Sequence, residues 1–262
     1  MSSINFQRTY LLNEKYESIK ERAFHMLEKY WEYPNLINFN DLERSVTFTT
    51  ERLIPAASMN RPRVMLLFSN PHPHSVHQGM FLSRNTKGRE NLFWPVMRDA
   101  SWLSTAERNI CSKQLAEICA EVKYRGPFDL IFYCFYAFPT DFPEDIKKIF
   151  GREYFNQFIE PESNNEFRKT IQDTSVDVVV TFNKGIFNLV SNDQVERYIE
   201  HLKEGELIQS QIKGIDRFVP IFLTFPTGWR YHKKYREFRK ASLDRIRTAI
   251  RSGLIVQESL NT

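Results

Sequence analysis

The feature that most constrains the fold is a short, uninterrupted apolar run that stops at an Asn-Pro pair. Residues 64–68 are all apolar. A run of this length without alternation is typical of a strand buried on both faces, as in a parallel sheet. Pro71 cannot donate to a strand ladder, so the strand ends before it and Asn70 lies at its carboxyl end. Open α/β sheets bind their ligands at that end, and the pattern therefore predicts a functional position at Asn70.

Three further strands follow, and they alternate with helical patterns. The strands are predicted at residues 127–138, 177–182 and 217–224. Helices are predicted at residues 105–123, 144–150 and 227–251, with an acid-rich surface insertion at 141–165. Such alternation predicts a three-layer α/β fold, with a mainly parallel four-stranded central sheet and helices on both faces.

The first 60 residues are predicted to be an N-terminal helical extension packed on a domain formed by residues 61–262. Residues 10–33 place apolar side chains at helical spacing, and Pro34 ends the pattern. A short strand is predicted at residues 45–50. A separate recognition arm is the alternative reading of this segment.

Composition narrows the class of protein. Hydrophobic residues make up 42% of the chain, which permits a large core. The three cysteines are odd in number and lack ligand-pair spacing, so we expect a reduced, cytoplasmic protein. We expect no signal peptide. The sequence contains no membrane-spanning run, P-loop, dinucleotide fingerprint or Cys-rich zinc pattern. We therefore expect no cofactor.

Three short motifs carry a family resemblance. The strand end at Asn70-Pro71 is followed by Ser75, Gly79 and an Asn-x-Phe-Trp box at residues 91–94. This arrangement resembles the uracil-DNA glycosylase superfamily, most closely its mismatch-specific uracil/thymine branch, where a strand runs into Gly-x-Asn-Pro-Gly. Residues 178–187 are similar to the family's strand into Gly-Lys-x-Ala-Phe, and residues 222–229 are similar to its second motif, Asn-Pro-Ser-Gly-Leu. The resemblance covers residues 61–251.

The resemblance implies hydrolysis of an N-glycosidic bond in DNA, with Asn70 as the catalytic residue. That bond breaks through an oxocarbenium-like state, and the enzyme must place one water. The neutral amide of Asn70 would hold this water through its oxygen. No lysine occupies the motif, so we expect a monofunctional glycosylase without a Schiff-base step. The alternative is a purely structural role, in which Asn70 only caps the turn before Pro71.

The resemblance also implies a base pocket, although several of its positions are altered. The first-motif glycines are replaced by Phe68 and His72, and the polar residue before the second-motif proline is Phe225. We expect the pocket to select a modified pyrimidine, such as a hypermodified cytosine in phage DNA, which would make the protein a defence enzyme. Uracil or thymine in mispairs, excised in repair, stays open. The predicted substrate-binding residues are His72, His74, Phe81, Leu82, Phe138, Asn183 and Phe225.

The predicted partner is DNA, either double-stranded with a flipped base or single-stranded. The protein is predicted to be a monomer. Trp229 occupies the place of the family's wedge leucine, which would fill the gap left by the flipped base; a core tryptophan is the alternative. Residues 230–251 carry nine Lys/Arg against two acids, a pattern that favours contact with phosphates. The predicted DNA-binding residues are Ser75, Thr227, Gly228, Trp229, Arg230 and Lys233.

Two other classes of function stay open at this stage. His72, His74 and His77 could form the metal site of a hydrolase, since His is a common ligand. No Asp or Glu lies within the segment to complete such a site, and we prefer the reading without a metal. A catalytically inactive DNA-binding relative is the other possibility, because Phe225 replaces a polar residue.

Overall fold

The computed structural model describes residues 4–55, 60–83, 85, 87–105, 110–227 and 229–253, with the backbone alone for residues 229–234. Its strands are β1 (Asn5–Leu11), β2 (Ile37–Asn40), β3 (Ser45–Leu53), β4 (Arg63–Phe68), β5 (Asp129–Cys134), β6 (Val178–Thr181), β7 (Ile208–Gln211) and β8 (Pro220–Leu223). Its α-helices are α1 (Tyr16–Met26), α2 (Pro73–Gln78), α3 (Phe93–Asp99), α4 (Ser112–Ala120), α5 (Pro143–Phe150), α6 (Arg152–Tyr154), α7 (Glu160–Asp173), α8 (Lys184–Val190), α9 (Tyr198–Glu204) and α10 (Trp229–Arg251). Two 3₁₀ turns, Asn13–Lys15 and Glu28–Tyr30, and one π-helical turn, Phe155–Ile159, accompany them.

The eight strands of the described chain form one sheet. Their order is β1-β3-β5-β4-β6-β8-β7, and β2 also pairs with β3. The four strands in the middle, β5, β4, β6 and β8, are parallel, and they are the four that the sequence predicts. The predicted mainly parallel sheet with helices on both faces is therefore confirmed. The predicted count of four strands is wrong, because antiparallel strands extend the sheet at both edges.

The parallel strands are buried on both faces, which explains their uninterrupted apolar sequences. Met65 and Leu67 of β4 face one hydrophobic core, whereas Leu66 and Phe68 face the other. Buried residues of α1, α5, α7 and α8 pack into the first core, which we call the α1-side core. Buried residues of α3, α4 and α10 pack into the second, the α4-side core. Three layers result.

The N-terminal segment is not the helical extension that the sequence predicts, because it also contributes three strands to the sheet. The predicted helix at residues 10–33 is reduced to α1 and a following 3₁₀ turn. Tyr10 belongs to β1, and Asn13 has a φ of 47°, which interrupts the backbone before α1 can start. The helical spacing of apolar residues therefore spans a strand, a turn and a helix.

β3 joins the N-terminal segment to the parallel sheet. The predicted strand at residues 45–50 is confirmed, and it continues to Leu53. Arg52 and Leu53 pair antiparallel with Tyr133 and Phe132 of β5. The segment is thus part of the same sheet as the residues that follow it.

The remaining helices depart from prediction mainly at their ends. The helix predicted at residues 105–123 is α4, which is shorter, and residues 106–109 lie outside the described part of the chain. The helix predicted at residues 144–150 is confirmed as α5. The region predicted as a surface insertion, residues 141–165, is mostly helical and buries Ile146, Ile149 and Phe150 in the α1-side core.

Within the described residues, no helix has the length and apolar character needed to cross a membrane.

The buried ring of Phe48 on β3 provides a test of how the N-terminal strands pack on the core. The ring of Phe48 lies 4.9 Å from that of Tyr10 and 4.9 Å from that of Phe138, measured between centroids. Phe48→Ala should lower the free energy of unfolding by about 3–5 kcal/mol in urea titrations, because it opens a cavity in the α1-side core.

Leu42→Ala is the matched control. The Leu42 side chain is 96% exposed, so its truncation should change the free energy of unfolding by less than about 0.5 kcal/mol. Equal, small losses for the two variants would mean that β3 does not pack on the core as described.

Candidate functional site

Asn70 and Asn183 follow neighbouring parallel strands. β4 pairs with β5 on one side and with β6 on the other. The chain runs from β4 to β5 and then crosses back past β4 to reach β6, so its direction of travel reverses beside β4. In open α/β sheets the ligand crevice lies outside the carboxyl ends of the strands at such a switch point. Asn70 and Asn183 lie at this place, and both are half-buried.

Hydrogen bonds to Thr140 fix the amide of Asn70. Its Nδ2 donates to the Thr140 carbonyl at 2.7 Å and to the Thr140 Oγ1 at 3.0 Å. The Thr140 hydroxyl donates to the Phe142 carbonyl at 2.9 Å, so its oxygen is the acceptor towards Asn70. Thr140 is fully buried, and its N–H donates to the Pro71 carbonyl at 3.1 Å. Two acceptors on one side therefore identify the nitrogen of the amide and point its oxygen the other way.

The oxygen of this amide has capacity for one more donor. Oδ1 accepts a hydrogen bond from the Ser69 hydroxyl at 3.0 Å. Within the described chain this is the one bond to Oδ1, and an amide oxygen has two lone pairs. The geometry allows Asn70 to hold a water or a substrate hydroxyl without moving its side chain.

The loop after Asn70 begins with a histidine that bonds in two directions. His72 precedes α2, and its Nδ1 accepts from the His74 backbone N–H at 3.2 Å, which caps the helix. Its Nε2 lies 3.2 Å from the Asp141 Oδ1. The proton of the neutral ring is therefore on Nε2. Because both nitrogens are engaged, His72 does not present a free donor to a pyrimidine.

Asp141 connects this loop to the N-terminal segment. It accepts from the Tyr30 hydroxyl, and its Oδ2 lies 2.5 Å from the Lys29 Nζ. The hydrogen bond from His72, assisted by those from Lys29 and Tyr30, lowers the pKa of Asp141 well below its usual range, although burial opposes the shift. Burial and the bond to Asp141 raise the pKa of Tyr30.

A second tyrosine covers the other two histidines. The Tyr33 hydroxyl lies 3.1 Å from the His74 Nδ1. The Tyr33 ring stacks on the ring of His77, with centroids 4.1 Å apart and planes 6° apart. Lys29, Tyr30 and Tyr33 were not predicted as site residues, because no local pattern links them to α2.

The histidines do not converge on a metal site. His72 bonds to Asp141, whereas His74 and His77 contact the hydroxyl and the ring of Tyr33. In the described residues, the one group of His and acidic side chains with ligand atoms mutually within 4.8 Å is His201, Glu204 and Glu206, on α9 and just after it. The side chains of His201 and Glu206 are about half exposed. The metal hydrolase reading therefore has no support from the geometry of His72, His74 and His77.

A cavity of about 660 Å³ opens beside α5 and α8, at the carboxyl ends of β5 and β6. Its lining includes Tyr136, Phe155, Glu160, Asn183 and Ile186, but not Asn70. Its volume is within the range of small-molecule sites. Asn183, one of the predicted substrate-binding residues, thus lines this cavity.

The rings predicted to contact the base are packed in the cores. Phe81 is buried among Phe68 and Phe132, with centroids 5.7 Å away in each case. Leu82 is half-buried, and its carbonyl accepts from the Trp94 indole at 2.9 Å. The Asn-x-Phe-Trp box is therefore a packing element that closes the loop after β4.

Phe138 and Phe225 are also core residues. Phe138 packs edge-on against Phe48 and Phe150. Phe225 is fully buried, and its ring stacks 5.4 Å from that of Tyr235. In this structure neither ring has a free face for a base. The sequence could not separate these positions from a pocket, since both kinds of site are apolar.

The predicted DNA-binding residues are described only in part. Ser75 is buried on α2, and its hydroxyl accepts from the Ser83 N–H at 3.4 Å, so it does not face solvent. Thr227 is half-buried. Gly228 and the side chains of Trp229, Arg230 and Lys233 lie outside the described residues.

The loop that precedes these residues is held by α10. Arg239 is buried, and its guanidinium donates to the Pro226 carbonyl. Burial lowers the pKa of Arg239 to about 10. The Thr224 hydroxyl donates to the Ser242 hydroxyl at 2.9 Å. These contacts position residues 224–227 at the carboxyl end of β8.

Comparison with family models and with curated proteins finds no match to this sequence. Interpretation of the site therefore depends on the chemistry of its residues.

The contacts of Asp141 with Lys29, Tyr30 and His72 lead to a prediction about the pH dependence of stability. A carboxyl whose pKa is lowered by folding stabilises the protein above its unfolded value, 3.8, and this stabilisation disappears as pH falls below it. Asp141→Asn should reduce the free energy of unfolding by about 1–3 kcal/mol near neutral pH, by loss of charge-assisted hydrogen bonds. In urea titrations, the gap between wild type and variant should narrow below pH 3.8.

Asp173→Asn, at an exposed position at the end of α7, is the control for loss of one negative charge. It should leave the stability within about 0.5 kcal/mol of the wild type. If the difference in free energy of unfolding between wild type and Asp141→Asn stays constant into the acid range, these contacts do not lower the pKa of Asp141.

Proposed function

We propose that the protein is a monofunctional DNA glycosylase that hydrolyses the N-glycosidic bond of a modified pyrimidine. The observation that supports this most is the immobilised amide of Asn70, with its nitrogen bonded to Thr140 and its oxygen open to one more donor. It lies at the carboxyl end of a central parallel strand beside the switch point of the sheet. The motif resemblance points to the same residue.

The proposed step needs one positioned water and no covalent intermediate. The water oxygen bonds to the anomeric carbon as the bond to the base nitrogen breaks, and the electron pair of that bond leaves with the base. The Asn70 oxygen accepts a hydrogen bond from the water and so orients it without removing its proton early. The water loses its proton to solvent as the new bond to carbon forms, and the departing base anion takes up a proton from solvent at its ring nitrogen. The products are a free base and an abasic site. Pre-organised dipoles of this kind lower a barrier because they need no rearrangement.

The proposed substrate is double-stranded or single-stranded DNA with a base enlarged at the pyrimidine 5-position. The support for this class is the missing polar residue of the family's second motif: Phe225, which stands in its place, is packed in the core against Tyr235 and leaves the pyrimidine carbonyl without that partner. Sites built to bond a polar group reject substrates that leave it unpaired, and the loss of such a group relaxes that selection. Defence against phage DNA with hypermodified cytosine is the role this substrate suggests. Trp229 as wedge and α10 as the phosphate-contacting helix remain predictions.

Asn70 is the residue whose replacement tests the reaction. Asn70→Ala should lower single-turnover base release by about 10²–10³-fold, the size of loss found when one oriented polar group is removed from an active site. Binding to the same DNA should stay close to wild type. Free base is measured by mass spectrometry, and affinity by fluorescence anisotropy at fixed salt.

Thr140→Val is the companion variant. It removes the Oγ1 acceptor and keeps the carbonyl that receives the shorter bond, so its loss of rate should be smaller than that of Asn70→Ala. If Asn70→Ala releases base at the wild-type rate, Asn70 does not hold the water, and a turn-capping role is left.

The substrate class is tested by comparing matched DNAs. Duplexes that differ at one base should carry cytosine, uracil, thymine opposite guanine, 5-hydroxymethylcytosine or its glucosylated form. We expect release from the 5-substituted cytosines and weak or absent release of uracil. Release of uracil alone would assign the protein to base-excision repair, and DNA binding with no release from any duplex would favour an inactive relative.

A further inference from the structure

We propose that a cavity at the amino ends of β4 and β5 binds a small phosphate monoester, the size of a mononucleotide, through three arginines. The cavity has a volume of about 580 Å³, within the range of small-molecule sites. Pro62, directly before β4, and Pro127, just before β5, belong to its lining. Asn70 follows the other end of β4, a strand of six residues, so the two sites are roughly 20 Å apart. The cavity is therefore separate from the proposed site of base release and does not depend on that reaction.

The three arginines come from two distant parts of the chain. Arg61 lies in the segment before β4, whereas Arg247 and Arg251 are one turn apart on α10, and all three line the cavity. Basic side chains in the last turns of a helix stabilise its dipole, but this role does not explain why Arg61 lines the same space. A cleft lined by charges of one sign concentrates ions of the opposite sign. The arrangement therefore indicates an anionic ligand.

Internal contacts hold the guanidinium of Arg61 in place. Its Nε donates to the Asp129 Oδ1 at 2.9 Å, and its Nη1 donates to the Gly126 carbonyl at 2.7 Å. The same carboxylate oxygen lies 2.9 Å from its Nη2. A guanidinium has five N–H groups, so in the described structure each terminal nitrogen keeps one for a further acceptor. A donor that is already oriented loses little freedom when a ligand binds.

Arg247 and Arg251 supply the remaining donors. The Arg247 Nη1 donates to the Ala100 carbonyl, and its Nη2 lies 3.1 Å from the Asp244 Oδ1, which leaves three of its five N–H groups. Arg251 is exposed, and no group in the described part of the chain accepts from its guanidinium. Guanidinium groups match the geometry of phosphate oxygens, to which they donate in pairs.

The balance of charge favours a phosphate monoester. No Asp or Glu of the described chain lines the cavity, and the two acids paired with its arginines, Asp129 and Asp244, are outside the lining. Asp244 also pairs with Lys240 at 2.8 Å. The three arginines and Lys240 thus meet two acids, which leaves an excess of two positive charges. A phosphate monoester carries about 1.5 to 2 negative charges at neutral pH, whereas a diester carries only one.

The other walls of the cavity suit an organic group attached to the phosphate. Pro62, Pro127 and Ile250 add apolar surface, and Asn60 and Ser101 add an amide and a hydroxyl. A phosphate group alone is much smaller than this cavity. Small-molecule sites combine apolar walls with a few polar groups that orient the ligand. The lining therefore fits a ligand with a phosphate at one end and a partly apolar body, as in a mononucleotide.

Nucleotides and nucleosides that differ only in the phosphate test the site. A purine is the suitable probe, because the proposed reaction concerns pyrimidines. In isothermal titration calorimetry at low salt, deoxyadenosine 5′-monophosphate should bind, and deoxyadenosine should bind at least about tenfold more weakly, the effect of lost charge-assisted hydrogen bonds. Inorganic phosphate should compete with the monophosphate. Equal binding of nucleotide and nucleoside, or no binding of the nucleotide, would overturn the proposal.

Arg251→Gln is the decisive variant because it separates binding from folding. The side chain is exposed and has no ion pair in the described structure, so the thermal midpoint should stay near wild type, while nucleotide binding weakens about tenfold. Ser101→Asp places a negative charge at the cavity and should weaken binding further. Arg197→Gln, at an exposed arginine outside the lining, is the charge-matched control and should bind like wild type. Normal binding by Arg251→Gln or by Ser101→Asp would remove the site.

Competition with DNA identifies the source of the phosphate monoester. Two duplexes of one sequence, with and without a 5′-terminal phosphate, are titrated against bound deoxyadenosine monophosphate. Stronger displacement by the phosphorylated duplex, absent in Arg251→Gln, would assign the site to a DNA end, and equal displacement would assign it to a free nucleotide. Asn70→Ala should bind deoxyadenosine monophosphate like wild type, since Asn70 does not line this cavity. Nucleotide binding without base release from any DNA would therefore leave the phosphate site and remove the glycosylase.

Discussion

The bond between the Asn70 amide and Thr140 is the interaction on which the organisation of the site depends. It joins the end of β4 to the loop after β5, because the Thr140 carbonyl and hydroxyl both accept from the Asn70 Nδ2. That loop continues into Asp141, which accepts hydrogen bonds from His72 and from Tyr30 of the N-terminal segment. The hydrogen bonds of one amide thus fix its own orientation and connect the turn after β4 to the start of α5. A side chain on a strand end would otherwise rotate freely, and its oxygen would have no defined direction.

How far the sequence predicts this fold depends on how each strand is buried. β4, β5, β6 and β8 are covered on both faces, so they read as continuous apolar runs, and all four were predicted. β1 is an edge strand with mixed burial, and its residue Tyr10 fits the helical spacing of α1 equally well. Periodicity over so few residues cannot distinguish the two structures. Partners distant in the chain, which select the strand, are not visible in a single sequence.

The site shows the same division between local and distant information. Asn70 was predicted because a polar residue at the end of a buried strand is a local pattern, and Asn183 because the strand before it resembles a family motif; both lie at the switch point. Phe138 and Phe225 were assigned to a pocket, yet both are core residues. Tyr30 and Tyr33 were missed, since their histidine partners come some forty residues later. Apolar residues near a strand end have no signature that separates packing from ligand contact.

The junction of β3 with β5 has a consequence for synthesis of the chain on the ribosome. β1, β2 and β3 pair among themselves and can form early, but Arg52 and Leu53 have to wait for Tyr133 and Phe132. Until then the apolar side chains of β3, among them Val46 and Phe48, lack the α5 and β5 residues that cover them. Loop closure over such a separation is slow, and exposed strands invite mispairing. The N-terminal segment is therefore translated first, but its pairing and packing are completed only after β5 has been made.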